Sequence, residues 1–135
     1  MVVFQLTHGS HDAFIKFALL DQFTQGYVTT MFWLAGEDLG EVALDQLAPE
    51  AWAKIGEDCA DFKAANEAAL AEAYAARPSD YDEDQAGGDF FLTRNGHGAG
   101  FWDRDLGASG EALSQAARAY GECDLYRGDD GRLYL

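Results

Sequence analysis

Positive charge is what this chain has least of: nine Lys and Arg stand against 24 Asp and Glu, a formal net charge of −15. That lies well beyond the magnitude of about 2–8 that suits a small soluble domain. Such an acidic field repels nucleic acid and anionic membranes and attracts basic protein surfaces, so neither a direct nucleic-acid partner nor a membrane partner is expected. Cysteine is almost missing. Cys59 and Cys123 lie far apart in no metal-ligand spacing, which argues against a disulfide framework and a zinc module and fits buried free thiols in a reducing cytoplasm. Long apolar runs are missing too, because residues 14–34 are interrupted by Asp21, Gln22 and Gln25, a poor bilayer span. The first residues show no basic n-region, apolar h-region or small-residue cleavage site, so no signal peptide is expected.

The usual chemical signatures are also absent. There is no Gly-x-Ser-x-Gly elbow and no Cys beside a His. Gly96-x-Gly98-x-Gly100 runs into Phe101-Trp102, where a phosphate loop needs Lys-Ser/Thr and a dinucleotide fingerprint needs a helix. His8, His11 and His97 lack a recognised zinc spacing. Gly128-Asp129-Asp130-Gly131 lacks the alternating ligands and closing Glu of a calcium loop. No cofactor and no metal is expected.

What is present is an ordinary core. A chain of 135 residues, 48% hydrophobic and 13% aromatic, is expected as a single domain over 1–135 that buries roughly two thirds of its unfolded surface. Met1 to Leu6 alternates weakly and reads as a short strand or an ordered tail. Ser10 or Asp12 can cap a first helix starting near Ala13, whose apolar positions run from Phe14 to Phe32, with Gly26 and Val28-Thr29-Thr30 weakening its second half. An acidic connection, 36–47, leads to Pro49 at the first turn of a second helix. There Trp52, Ile55, Cys59, Phe62, Ala65, Ala69 and Tyr74 form an apolar face, and Arg77-Pro78 stops the helix. Ser109 can cap a third helix that ends at Gly121. Cys123–Tyr126 and Arg132–Leu135 flank a turn at 128–131, a hairpin.

The densest signal is Phe90 to Arg104. Aromatic and β-prone residues surround Asn95-Gly96, the dipeptide suited to a tight hairpin turn, so a β-hairpin is expected here as well. The order helix, helix, hairpin, helix, hairpin predicts an α+β fold, helices covering a small antiparallel sheet. In a regular strand Phe101 and Trp102 face opposite sides, one to the core and one to a partner. His97 with Asp103 is material for an acid–base site, His97 as acid or base and Asp103 as its orienter. The plainer account pairs Arg94, Asp103 and Arg104 across the strands, gives the turn to Asn95 and leaves His97 exposed.

Residues 37–84 carry 14 acidic and 3 basic side chains, a balance of −11, whereas residues 85–135 carry 8 acids and 5 arginines. A solvated helix face explains such an excess; a display of carboxylates that imitates a phosphate backbone explains it too. The residues expected to carry such binding are Glu57, Asp58, Asp61 and Glu67, with Arg94, Asn95, His97, Trp102 and Arg104 from the loop.

The stretch Leu92-Thr93-Arg94-Asn95-Gly96-His97-Gly98-Ala99-Gly100-Phe101-Trp102-Asp103-Arg104, followed by Asp124-Leu125-Tyr126 and Gly128-Asp129-Asp130-Gly131, resembles a family of small uncharacterised bacteriophage proteins. Leu47-Ala48-Pro49-Glu50, Asp58-Cys59 and Phe62-x-x-Ala65-Asn66 resemble it as well, so the likeness spans roughly residues 27–135. It implies origin rather than activity and carries over no catalytic residues. A small acidic chain of this kind is expected to bind a host protein with a basic surface, for instance a nucleic-acid-binding or defence protein, in the cytoplasm of an infected bacterium. The rivals are an enzyme built on His97 and Asp103 and a structural module that oligomerises through Phe101 or Trp102.

Overall fold

The computed structural model describes residues 11–135. Among them are six α-helices: α1 (His11–Ala18), α2 (Gln22–Leu39), α3 (Pro49–Ala65), α4 (Glu67–Ala76), α5 (Glu83–Arg94) and α6 (Ala108–Arg118). Single 3₁₀ turns lie at Leu44–Gln46 and Phe101–Asp103, and a two-stranded antiparallel sheet joins β1 (Tyr126–Arg127) to β2 (Leu133–Tyr134). The described residues are thus mostly helical with one small sheet. The expected helix layer over a sheet gives way to helices packed on one another, with the hairpin at the margin. The strand expected at 1–6 and the cap expected at Ser10 lie outside the described residues.

Two expected helices are each divided. Between α1 and α2 the chain turns at residues 19–21, where the Gln25 side-chain amide donates to the carbonyls of Phe17, Ala18 and Leu20 at 3.1–3.3 Å. Those bonds satisfy carbonyls that a helix end leaves open. Asn66 separates α3 from α4, its backbone outside helical values and its side-chain amide on the Phe62 carbonyl at 2.9 Å. The expected start at Pro49 and stop near Arg77 hold.

Gly26 does not weaken α2; it allows the closest contact in the fold. A Cβ on Gly26 would sit 1.9 Å from the Asp84 carbonyl oxygen, and one on Gly87 would sit 1.8 Å from that of Phe23. A Cβ on Gly88 would meet the Thr30 hydroxyl at 2.6 Å. Helices α2 and α5 therefore touch backbone to backbone, as small residues permit. This contact sets Phe23 and Tyr27 of α2 against Phe90 and Phe91 of α5. Phe62 of α3 stacks on Phe90 with ring centroids 4.2 Å apart, and Phe101 and Tyr120 close the cluster.

The hairpin expected at 90–104 is not formed. Residues 83–94 are α5, and Asn95-Gly96 ends it. His97 N–H bonds the Leu92 carbonyl, Gly96 N–H bonds that of Thr93, and Gly96 takes φ +71°, which is a Schellman stop. Asp82 opens the helix with a capping box to Gln85. The second hairpin is present, shorter than expected, with Tyr126 opposite Tyr134 and Arg127 opposite Leu133. Its buried Leu133 accepts the Ala48 N–H at 2.9 Å, tying it to the start of α3.

Gly87→Ala should lower stability by about 3 kcal/mol, the upper range for forcing extra volume into a packed site. Gly56→Ala, inside α3 where an added Cβ meets nothing within 4 Å, should raise it by about 0.5–1 kcal/mol. Urea unfolding of both variants checks the pair, and similar effects from the two would contradict the contact.

Candidate functional site

The arginines of the motif do not meet across strands. Arg94 is buried at the end of α5, where its Nη1 donates to Asp58 Oδ2 of α3 at 2.8 Å and to the Tyr27 hydroxyl at 3.4 Å. Its Nε donates to the Gly121 carbonyl at 2.9 Å, and its guanidinium lies over the rings of Phe90 and Tyr120. Burial pushes the Tyr27 phenol up, so it remains a neutral partner. Lys54 adds a second cation to Asp58 at 3.1 Å. Asp58 is thereby a structural counter-ion, with a side chain only 17% exposed.

Arg104 follows the same logic. Its Nε and Nη2 bracket the buried Asp89 carboxylate at 2.9–3.1 Å, and the Tyr81 hydroxyl donates to the same carboxylate at 2.6 Å. Asp89 was not expected from the sequence, yet a lone carboxylate between Gly88 and Phe90-Phe91 signals a buried pair. Both loop arginines are thus engaged in holding elements together.

Asn95 also acts as a tie. Its side chain donates to the Phe91 and Cys123 carbonyls and accepts from Cys123 N–H at 2.7 Å. His97 is half-buried, stacked on Phe91 with centroids 5.9 Å apart, and its Nε2 is buried without a hydrogen bond. No hydrogen bond joins it to the exposed Asp103. Phe101 is buried and Trp102 is 46% exposed, the division expected for them, although they sit on a 3₁₀ turn. The Gly100 position is closed to a side chain by the Thr93 hydroxyl, which accepts the Phe101 N–H.

Cys59 and Cys123 are free thiols. Burial pushes Cys59 up to about 12, which keeps it from being a thiolate nucleophile. Among the described residues no three His, Cys, Asp or Glu side chains are placed to hold a metal ion; His8 lies outside them. Among the described residues, too, no helix is long and apolar enough to cross a membrane.

The surface is where unused chemistry remains. Glu57 and Glu67 are exposed and make no ion pair among the described residues, while Asp61 accepts the Tyr120 hydroxyl. Beside the α2–α5 contact lies a groove of about 290 Å³ lined by Thr30, Trp33 and Leu34 of α2, by Asp84, Gln85, Gly88, Asp89 and Leu92 of α5, and by Arg104. Trp33 is 63% exposed there. Sequence reasoning left Trp33 and Asp84 aside. The signal was present in the helical spacing, since Trp33 falls off the face carried by Tyr27, Val28, Met31 and Ala35.

No protein-family model, curated protein or solved structure matches this chain.

Arg94→Ala should destabilise the fold by about 3–5 kcal/mol, as expected when a buried pair loses one partner, whereas Glu57→Gln should stay within about 0.5 kcal/mol. Denaturant midpoints decide it. Equal effects would mean that Arg94 is not a structural tie.

Proposed function

We propose that this chain is a protein-binding module that displays carboxylates to a basic partner. Following the resemblance read in residues 92–104, we take that partner to be a host protein, and a nucleic-acid-binding or defence protein is the kind whose groove an acidic surface fits. The observation that carries this reading is the division of charge. The buried Arg94 and the half-buried Arg104 are each matched by an acid, Asp58 and Asp89. The acids Glu57, Glu67 and Glu72 stand exposed on α3 and α4 and form no ion pair among the described residues. Unmatched surface carboxylates oppose compact folding by mutual repulsion and draw in a partner of opposite sign.

Asp58 leaves the expected binding set in this reading, because its carboxylate is committed to Arg94 and Lys54. Glu57, Asp61 and Glu67 remain, joined by Glu72. Arg94 and Asn95 hold the frame, and Trp102 is an exposed neighbour of that frame.

The reading is tested with a panel of purified bacterial nucleases and DNA-binding proteins, measuring association and release of duplex DNA. At least one should bind the chain and lose DNA to it, with affinity falling steeply from about 50 to about 200 mM salt. The combined substitutions Glu57→Gln, Glu67→Gln and Glu72→Gln, which disturb no internal bond, should weaken binding by about tenfold at the low-salt end. Absence of any salt-sensitive association across the panel would end the proposal.

A further inference from the structure

The groove beside the α2–α5 contact is not explained by the fold. Trp33 is a large aromatic left 63% exposed, although its neighbours Met31 and Phe32 are fully buried. Asp84 shares the groove with it and makes no hydrogen bond or ion pair within the described chain. Asp84 is exposed at the rim of the groove and has no cation paired to it among the described residues; burial, and then the neighbouring Asp82, hold its carboxyl above the usual carboxylate range. Arg104 lines the groove too, but its charge is taken by Asp89. The local balance is two carboxylates, Asp84 and Asp89, against one guanidinium. An anion is therefore disfavoured and a cation favoured. The volume of about 290 Å³ falls just below the usual range of ligand clefts, about 300–1,000 Å³, which suits one long side chain rather than a folded element.

An exposed indole and an unpaired carboxylate lining one groove together offer a site for a flat cation. Guanidinium stacks on Trp more readily than ammonium does and donates to a carboxylate at the same time. From this juxtaposition we propose that the α2–α5 groove seats one arginine side chain of the basic protein partner, stacked on Trp33 and neutralised by Asp84. The inference rests on the proposed basic partner and names the point at which that partner is gripped. Exposed glutamates on α3 and α4 then supply long-range attraction, and the groove supplies register.

The test uses the acetylated, amidated peptide Gly-Arg-Gly-Arg-Gly and the same peptide with citrulline for arginine, titrated into ¹⁵N-labelled protein. The arginine peptide should shift the Trp33 indole N–H and the Gly88 and Leu92 amides saturably, and the citrulline peptide should not. Trp33→Ala and Asp84→Asn should each weaken binding about threefold, and together about tenfold, as exposed cation–π and ion-pair contacts do. Trp33 is exposed, so its truncation leaves the core intact, and the retained amide dispersion of each variant verifies folding. If the arginine peptide moves only residues around Glu57, Glu67 and Glu72 and Trp33→Ala binds as wild type, the groove inference fails while the basic-partner reading stands. If the peptide moves nothing, both fail.

Discussion

The fold depends on one steric condition: the backbones of α2 and α5 lie too close for any side chain between them. Gly26 faces the Asp84 carbonyl and Gly87 faces that of Phe23, each at a separation that a single methyl group would make impossible. Close approach of this kind brings few side-chain atoms together at the crossing itself. Its effect is felt to either side, where it draws Tyr27 against Phe90 and Phe91 and brings Phe62 into the stack. Dense aromatic packing of this sort loses much of its dispersion energy when opened by even a fraction of an ångström. The glycines thus support the core without belonging to its apolar surface.

The same crossing positions the charges. Because α5 is held against α2, Arg94 at its end reaches Asp58 on α3, while Asp89 one turn and a half earlier receives Arg104 from the segment beyond. Each of the two arginines thereby meets an acid from a different element, and one member of each pair, Arg94 or Asp89, is buried. A buried ion pair adds little net stability over a well-packed apolar pair, but losing half of one is severe. These pairs serve to hold the segment 95–107 and the region around Gly121 to the helices. What they leave over is a surface rich in uncompensated carboxylates and a groove with one unpaired acid beside an exposed indole.

Much of the helical frame was legible in the residues. Pro49 at a first turn, the amphipathic rhythm from Trp52 to Phe62, Arg77-Pro78, and the small-residue helix ending near Gly121 each state their role through local chemistry. The terminal hairpin was equally clear. The segment 90–104 was not, because Asn-Gly serves a hairpin turn and a Schellman stop equally well, both needing glycine at positive φ. Phe-Phe-Leu-Thr after Gly87-Gly88 has weak helical propensity, and tertiary contact overrides it. The capping box from Asp82 to Gln85 was the local clue that a helix begins there. The partners of Arg94 and Arg104 could not be read at all, since Asp58 lies 36 residues from Arg94 and only the assembled crossing joins them. The outward position of Trp33 was legible in the spacing, since it lies opposite the face carried by Tyr27, Val28, Met31 and Ala35, but the groove that it lines needed the facing helix.

The most direct measurement is a nuclear Overhauser spectrum of the α2–α5 region. The contact requires cross-peaks between the Gly26 α-protons and the Asp84 and Gly88 backbones, together with sequential amide–amide contacts through residues 83–94. Strong sequential Hα–amide peaks through 90–94 and cross-strand contacts between Arg94 and Arg104, with none from Gly26 to α5, would contradict it and return the segment to a hairpin.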